Sequence, residues 1–381
     1  MNILFVLENY LPHIGGVEIV FKNLAETLAK QGHEINLVTH RLKNTPKFEI
    51  INGVKINRIS CLHSRYLFSF LSIPKILKLS KQADLIHTTT FNGAPPSWFV
   101  GKITKKKVIL TVHEVWINKW QETTNLSSLS CFIHNLLEKA IYTLNYDYYV
   151  CVSNATKSDL LKLNIPPEKV TTIYNGIDYE FWNPAKYKAQ SQKLRKNINL
   201  ENNFIYLFYG RPGTSKGLEY LIKAIPIISP QIPHSKLLAI VSQDPAYKKQ
   251  YNNIIKLIND YQLKDKIIIL PPISYQELPF YINTADCIII PSITEGFGFN
   301  AVEASALGRP IVASNTTSLP EVVSGKYILI PPKSPEEIAK AIKRVYEKKY
   351  TKTPLKKFTI EDNVDNYFKV YNLILNGINK T

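Results

Sequence analysis

Residues 210–217 combine two cations with three glycines in a pattern suited to binding phosphate groups. They read Gly-Arg-Pro-Gly-Thr-Ser-Lys-Gly and follow the apolar run FIYLFY, which places Arg211 and Lys216 between a predicted strand and a predicted helix. Arginine offers a planar fork and lysine a point charge, and both can stabilise phosphoryl oxygens as negative charge grows on them. We interpret this loop as a diphosphate clamp. Solvated surface cations are the alternative, which the strand-to-helix context disfavours.

Residues 291–303 also follow a predicted strand, and they carry two carboxylates, Glu295 and Glu303, with seven residues between them. If the span were helical, the carboxylates would lie roughly 12 Å apart, whereas a retaining glycosidase pair needs about 5 to 5.5 Å. We therefore expect them to bind hydroxyl groups on two different parts of one ligand. The alternative is that Glu295 caps a helix and Glu303 faces solvent.

Three further residues could reach a ligand from the N-terminal half. Gly15 and Gly16 follow the first predicted strand and open the first helix, where bare backbone N–H groups can receive a phosphate; a plain glycine turn explains them equally well. His113 closes another predicted strand, a position where a lone histidine is more often structural than catalytic. The sequence has no H-x-x-x-H, H-E-x-x-H or Asp-x-Asp pattern, so we expect no protein-bound catalytic metal.

The elements that carry these residues alternate between apolar strands and amphipathic helices, which is typical of parallel α/β sheets. We predict strands at 3–7, 34–39, 85–89, 108–112 and 148–152, and then at 204–209, 237–242, 266–270, 287–291, 310–313 and 327–330. The fold class is therefore α/β, with two doubly wound Rossmann-like domains facing a cleft. We predict an N-terminal domain over 1–182, a linker at 183–202, a C-terminal domain over 203–357, and a last helix, 358–377, that packs back on the first domain.

The composition excludes several classes of protein. The chain has 381 residues, of which 45% are apolar and 20% charged, and this composition argues against disorder. Its four cysteines are widely separated, which argues against a disulfide framework. Its N-terminus lacks the pattern of a signal peptide, and no apolar run is long enough to span a membrane, so we expect a cytoplasmic protein. The net charge of +17 attracts phosphates in general: nucleic acid, an anionic membrane or a phosphorylated small molecule.

Taken in order, these motifs resemble glycosyltransferase family 4, whose members are retaining, sugar-nucleotide-dependent enzymes of the GT-B fold. The resemblance covers nearly the whole chain. It rests on the glycine turn at 12–18, His113, Val152-Ser153 with Leu160, Asn175-Gly176-Ile177-Asp178, the loop 210–217, the E-x7-E pair, and Gly308-Arg309-Pro310-Ile311-Val312-Ala313 followed by Pro320-Glu321-Val322. Two loops depart from the family pattern, because 240–245 and 315–319 lack glycines that are common there.

The resemblance implies a role for each site residue. Arg211 and Lys216 would hold the donor diphosphate and stabilise the leaving group without a metal or other cofactor, assisted by the N–H groups of Gly15 and Gly16. Glu303 would bind the ribose hydroxyls. Glu295 and the backbone amides of Gly296, Phe297, Gly298, Phe299 and Asn300 would hold the donor sugar, and His113 would contact that sugar near its anomeric carbon. The catalytic group is thus His113, Glu295, Arg211 and Lys216.

The expected partners are a nucleoside diphosphate sugar, with UDP or GDP as the nucleotide, and a saccharide, glycan or lipid-linked acceptor. Residues 66–81 combine aromatic residues, leucines and lysines, and Lys102 with Lys105 to Lys107 adds a basic cluster, so we favour a peripheral position on an anionic membrane. A surface helix with one buried face and a solvated charge run explain these segments as well. The alternative functions are a sugar-nucleotide 2-epimerase of the same fold and a basic nucleic-acid-binding protein.

Overall fold

The computed structural model describes residues 1–62 and 64–377, which form two compact units. The first unit comprises residues 1–117, 132–176 and the C-terminal segment from 358, and the second comprises residues 118–131 and 177–357. The second unit therefore begins earlier than the predicted domain at 203, and it includes a segment from the N-terminal half of the chain.

The strands are, in chain order, β1 (Asn2–Val6), β2 (Glu34–His40), β3 (Phe48–Ile51), β4 (Val54–Ile59), β5 (Leu85–Thr89), β6 (Lys107–Val112), β7 (Tyr148–Cys151), β8 (Val170–Thr172), β9 (Phe204–Gly210), β10 (Ser235–Val241), β11 (Ile267–Leu270), β12 (Cys287–Ile290), β13 (Ile311–Ser314), β14 (Lys326–Ile330) and β15 (Thr351–Lys352).

The helices are α1 (Gly16–Lys30), α2 (Phe68–Leu71), α3 (Ile73–Ser80), α4 (Ala94–Thr104), α5 (Trp120–Thr123), α6 (Ser128–Thr143), α7 (Asn154–Leu161), α8 (Lys188–Asn197), α9 (Leu218–Ile228), α10 (Lys248–Asp260), α11 (Leu278–Thr284), α12 (Phe299–Ala306), α13 (Leu319–Val322), α14 (Pro335–Tyr346) and α15 (Ile360–Asn376).

The sheet of the first unit has eight strands in the order β3-β4-β2-β1-β5-β6-β7-β8, and all neighbours are parallel except β3 and β4. Its central strands are apolar on both faces because two hydrophobic clusters cover the sheet. One cluster includes residues of α3, α4 and α6, and the other includes residues of α1 and α15. The unit is therefore doubly wound, as predicted.

The last helix, α15, belongs to the first unit. It buries Val364, Tyr367, Tyr371 and Ile374 in the cluster that also contains α1. The Tyr371 hydroxyl lies 2.7 Å from Nδ1 of the buried His87 on β5, so the helix is tied to the central sheet by a polar contact as well as by apolar packing.

The sheet of the second unit has seven strands in the order β11-β10-β9-β12-β13-β14-β15, with only the short β15 antiparallel. The strand order reverses between β9 and β12, which is the switch point where open α/β sheets bind ligands at the carboxyl ends of their strands. The loops after these two strands are the two loops that carry the predicted charged residues. The second doubly wound domain of the prediction is thus confirmed.

The segment 183–202, predicted as a linker, instead contains a 3-10 helix, Pro184–Tyr187, followed by α8, and it packs inside the second unit. Arg195 on α8 donates to the Asp286 carboxylate at 2.9 Å, and Ser191 donates to the Phe280 carbonyl at 3.1 Å. Polar contacts rather than a long apolar stripe hold this helix, which is why its hydrophobic periodicity is weak in the sequence.

Candidate functional site

The loop after β9 is held against the loop after β12 by a glycine that no other residue can replace. Gly217 has φ of +67°, and a Cβ added there would lie 2.0 Å from the carbonyl oxygen of Pro291. The 3-10 helix Thr214–Lys216 precedes it directly. This close approach brings the end of the first loop beside the start of the second.

Lys216 and Glu295 meet as a result, although 79 residues separate them in sequence. The Lys216 Nζ atom lies 2.6 Å from Glu295 Oε1, and the Ser292 hydroxyl donates to the same oxygen at 2.9 Å. Glu295 is buried, and its own backbone N–H donates to the Thr317 hydroxyl at 2.9 Å. The predicted cation and the predicted carboxylate therefore form one ion pair at the edge of the sheet.

Arg211 lies on the same loop but makes a different contact. Its Nη1 atom donates to the Tyr247 hydroxyl at 3.1 Å, and its guanidinium lies 5.9 Å from the centre of the Tyr247 ring. The side chain is exposed. A guanidinium carries five N–H donors in a planar fork, and orientation by an aromatic ring suits that fork to a phosphate ligand.

Glu303 lies on α12, and its carboxylate has a partner of its own. The Tyr209 hydroxyl, at the end of β9, donates to Glu303 Oε2 at 2.9 Å and also lies 3.0 Å from the Asn300 carbonyl oxygen. Burial raises the pKa of Glu303 to about 7, and the hydrogen bond from Tyr209 partly opposes that rise. The group can therefore change its charge near neutral pH, and it does not simply face solvent.

The chain between the two glutamates is a loop that ends in a helix start. Gly298 caps α12 in the left-handed region, with φ of +93°, so the helix begins at Phe299 and not at Glu295. The Ser318 hydroxyl contacts the carbonyl oxygens of Glu295 and Phe297 at 2.9 and 3.0 Å. These bonds hold residues 296–298 in front of α12. The first N–H groups of a helix, here those of Phe299 and Asn300, have no partner within the helix and can donate to an anionic or hydroxyl ligand.

The loop 315–319 contains no glycine, and it supplies the contacts that hold this arrangement. Thr317 accepts the Glu295 N–H, and Thr316 donates to the Ile293 carbonyl at 3.1 Å. Thr317 has φ of +45°, which is costly for a β-branched residue and persists only where surrounding contacts impose it. The strain stands directly beside the predicted sugar-binding carboxylate.

In the first unit, Gly15 caps α1 with extended backbone, and Gly16 is the first residue of the helix. The buried Glu18 carboxylate lies here too, because a Cβ on Gly15 would come within 2.5 Å of its Oε2 atom. His13 Nδ1 lies 3.1 Å from Glu18 Oε1. The helix start thus already holds one carboxylate, which the sequence interpretation did not consider.

His113 directly follows β6, and its ring lies edge-on to Phe21 with centroids 6.2 Å apart. Burial lowers the pKa of His113 to about 4, and the negative charge of Glu18 opposes that shift. The imidazole is therefore neutral at physiological pH. Its Nε2 atom is buried and has no hydrogen-bond partner among the described residues. An unpartnered buried polar atom of this kind is expected where a ligand supplies the partner.

Sequence reasoning missed several partners of the predicted residues: Tyr209, Tyr247, Ser292, Thr317, Ser318 and Glu18. Only Tyr209 carried a signal, since a tyrosine at the end of an otherwise apolar strand must place its hydroxyl on a polar partner. In residues 1–62 and 64–377, no cluster of three or more His, Cys, Asp or Glu side chains is arranged to hold a metal ion. Over the same residues, no helix is both long and apolar enough to cross a bilayer.

Comparison with known proteins identifies the chain. Residues 14–181 match the family model described as Glycosyltransferase Family 4, and residues 190–361 match the model described as Glycosyl transferases group 1. An uncharacterized glycosyltransferase of Methanocaldococcus jannaschii, MJ1607, is 31% identical over 91% of this chain and 89% of its own length. The GPI3 subunit of the phosphatidylinositol N-acetylglucosaminyltransferase of Saccharomyces cerevisiae is 23% identical over 84% of this chain and 70% of its own length.

Among solved structures, the fold is similar to that of HepE from Anabaena in complex with UDP and glucose. The TM-score is 0.76, the identity is 16%, and the match covers 98% of this chain and 99% of HepE. The two doubly wound sheets and this similarity establish the GT-B fold. The family matches favour a transferase over the 2-epimerase and nucleic-acid-binding alternatives. The chain belongs to glycosyltransferase family 4, and it is a sugar-transferring enzyme.

Proposed function

We propose that the protein transfers a sugar from a nucleoside diphosphate sugar to a hydroxyl of a saccharide, glycan or lipid-linked acceptor, with retention of configuration and without a metal. The observation that carries the proposal is the pairing of Lys216 with Glu295 across the two loops at the switch point of the second sheet. A cation and a carboxylate held in contact there can each bind one of two adjacent groups of the same ligand. The diphosphate takes the cation, and the sugar hydroxyls take the carboxylate.

The leaving group is the part of the reaction that these residues serve. The bond between the anomeric carbon and the β-phosphate oxygen breaks, and negative charge grows on the diphosphate. Lys216 and Arg211 stabilise that charge, and the N–H groups at the start of α12 add backbone donors. The acceptor hydroxyl bonds to the anomeric carbon on the face that the phosphate leaves, and its proton passes to the departing phosphate oxygen. Retention follows from attack on that same face.

Two residues are assigned to other parts of the substrate. Glu303 binds the ribose hydroxyls with the carboxylate that Tyr209 orients. His113 contacts the donor sugar through the Nε2 atom that is buried and unpartnered among the described residues. We expect Glu303→Ala to weaken nucleotide affinity with a smaller effect on turnover, and His113→Ala to lower turnover with a smaller effect on affinity. A reversed pattern would mean that the two roles are misassigned.

The nucleotide is proposed to be UDP or GDP. HepE binds UDP and glucose in the solved complex, which supports a uridine nucleotide as the first candidate. Binding of UDP, GDP, ADP and their sugars can be compared by thermal unfolding with EDTA present, because a ligand that binds only the folded state raises Tm. A rise with one nucleotide family identifies the base, and an equal rise with and without Mg²⁺ supports metal independence. No rise with any nucleotide would overturn the donor assignment.

The acceptor is proposed to be presented at an anionic membrane to which the protein binds peripherally. The similarity to a subunit named for phosphatidylinositol supports a lipid-linked acceptor. A transfer assay with a radiolabelled donor and either extracted lipids or free saccharides as acceptors tests this. Label that partitions into the organic phase supports the lipid-linked acceptor, and label only in free saccharides contradicts it.

A further inference from the structure

We infer that α6 docks on an anionic lipid bilayer through an outward apolar face, defined by Phe132, Ile133, Leu136 and Leu137 and called here the α6 face. The inference deepens the proposed membrane association and rests on it, since it names the surface that would make the contact. The sequence interpretation assigned that contact to other segments. It did not single out α6.

The α6 face consists of four large apolar side chains that are all exposed. Phe132 is 59% exposed, Ile133 46%, and Leu136 and Leu137 49% each. The spacing 132, 133, 136, 137 places all four on one side of the helix. Exposed apolar residues are ordinary when they are scattered, but a contiguous stripe on one helix indicates a partner.

The inward side of the same helix contains a carboxylate as well as apolar side chains. Glu138 is only 1% exposed, and its Oε1 atom accepts a hydrogen bond from the backbone N–H of Trp116 at 2.8 Å. Ile141 and Tyr142 are buried on the same helix. The helix therefore buries its one carboxylate and exposes its largest hydrocarbon side chains, which is costly in water and favourable at a lipid surface.

Other elements of the first unit also expose large apolar side chains. The Tyr66 hydroxyl lies 3.3 Å from His134 Nε2 on α6, and Tyr66, Phe70 and Leu71 are all exposed. The α4 helix, which packs against α2 and α3, also exposes Phe99 and Ile103. Aromatic side chains such as these are favoured where a protein meets the headgroup region.

The charge of these elements fits an anionic partner. The segments 65–81, 94–107 and 128–143 contain nine basic residues and a single acidic one, which is the buried Glu138. The basic residues are Arg65, Lys75, Lys78, Lys81, Lys102, Lys105, Lys106, Lys107 and Lys139. Each lysine near an anionic surface adds to attraction, and the effect falls with ionic strength. A second copy of this chain would present the same positive charge and be repelled, so we assign the face to lipid.

The test is co-sedimentation of the full chain with phosphatidylcholine vesicles that contain or lack phosphatidylglycerol, without nucleotide or acceptor. We expect binding to the anionic vesicles only, weakened by added salt. The double variant Phe132→Ser/Leu136→Ser should lower the partition coefficient at least about tenfold, because each side chain loses its transfer into hydrocarbon. Ile50→Ser, at an exposed isoleucine on β3, is the matched control and should bind like the wild type.

A second pair of variants keeps the test independent of apolar substitutions. Lys78→Glu/Lys102→Glu should reduce binding to the anionic vesicles about tenfold or more, whereas Lys256→Glu/Lys264→Glu, at exposed sites of the second unit, should not. Absence of wild-type binding would overturn the inference. So would a concentration-dependent dimer that the serine pair abolishes, because a second copy would then cover the face. Since the assay contains no donor, its failure leaves nucleotide binding, and hence the proposed transfer, to be judged separately by Tm.

Discussion

At the scale of single residues, the ion pair between Lys216 and Glu295 shows how a site can be preorganised before its ligand arrives. The two side chains carry opposite charges, and Ser292 adds a second contact to the same carboxylate oxygen. A buried charge without a partner is expensive, and the contact gives each of these two groups a partner in a partly buried place. In the proposed function, a diphosphate sugar replaces this contact with one between Lys216 and the diphosphate and one between Glu295 and the sugar hydroxyls.

Lys216→Ala and Arg211→Ala should each lower kcat/KM for the donor by the equivalent of about 2 to 4 kcal/mol, because each removes a cation from the developing diphosphate charge. Lys256→Ala, at an exposed lysine on α10, serves as the control and should leave kcat/KM unchanged. The measurement is steady-state kinetics with varied donor. Near-normal kinetics in either site variant would remove the clamp from the mechanism.

Tyr209→Phe should show whether donor binding needs the hydrogen bond that orients Glu303, because the variant removes that bond and keeps the carboxylate. The hydrogen bond from Tyr209 lowers the pKa of Glu303, which burial raises to about 7, so its loss moves the pKa further up and less carboxylate is ionised at neutral pH. A hydrogen bond to a charged group contributes about 1.5 to 3 kcal/mol, so we expect donor KM to rise about tenfold or more near pH 7.

The pH profile of donor KM from about pH 6 to 9 measures the effect of Tyr209→Phe. The difference from the wild type should shrink as the pH rises, because ionisation of Glu303 is then restored, and kcat should change little. Tyr346→Phe, at a tyrosine that is exposed, is the matched control. A KM change that is the same at every pH would show that Tyr209 acts by packing and not through the carboxylate.

At the scale of elements, the attachment of α15 depends on a buried polar chain as well as on its apolar face. His87 Nδ1 contacts Tyr371, His87 Nε2 lies 2.8 Å from the Thr111 hydroxyl, and Thr111 lies 3.1 Å from the Tyr367 hydroxyl. All of these residues are buried. This series of hydrogen bonds links β5 and β6 to the C-terminal helix, although more than 250 residues separate them in sequence.

Tyr371→Phe should lower the free energy of unfolding by about 1 to 3 kcal/mol, because it leaves His87 Nδ1 buried without a partner. Urea titration followed by circular dichroism measures the change. Tyr346→Phe again supplies a matched control, since its exposed hydroxyl can bond to water, and it should alter stability little. If both variants unfold at the same urea concentration, the polar chain adds nothing to the apolar packing of α15.

The sequence predicted the strands that are buried on both faces and missed several elements that are not. All predicted strands occur within two residues of their expected bounds, because a short apolar run between turn residues is typical of a strand buried on both faces. The hairpin of β3 and β4 was missed, although its turn, Asn52-Gly53, has the positive φ values of 49° and 85° that favour this pair. The polar α8 was missed because hydrogen bonds hold it.

For the candidate site, the sequence identified the loops but not what holds them. Lys216 and Glu295 could be named from their positions after strands, yet their contact depends on strand order and on the approach of Gly217 to Pro291. Tyr247 ends a short 3-10 helix, Pro245–Tyr247, and Thr317 lies on a loop. Neither segment carries a recognisable motif, so the contacts of these two residues could be identified only from the structure.

At the scale of the whole molecule, the buried histidines connect stability to pH. Burial lowers the pKa of His87 to about 3 and that of His113 to about 4, against about 6.5 for an exposed histidine. Below about pH 6.5 these two histidines are therefore protonated in the unfolded chain and neutral in the folded protein. Because the unfolded chain binds two more protons, the free energy of unfolding falls as the pH falls. Glu303 acts in the opposite sense between about pH 4.3 and 7, because its raised pKa lets the folded protein hold one proton that the unfolded chain releases.

With two protons against one, the histidines dominate near pH 5, so these three groups together should make the protein lose about 1.4 kcal/mol of stability for each unit by which the pH falls there. His87→Gln should lower the slope of the free energy of unfolding against pH by about 1.4 kcal/mol per pH unit, the equivalent of one proton, between about pH 4 and 6. This change of slope is expected whatever the effect of the substitution on stability at neutral pH. His234→Gln, at an exposed histidine, is the control, because its loss should not change the slope by this amount. Urea titrations at closely spaced pH values give the slope directly, and an unchanged slope in the His87 variant would mean that this histidine accepts a proton in the folded protein.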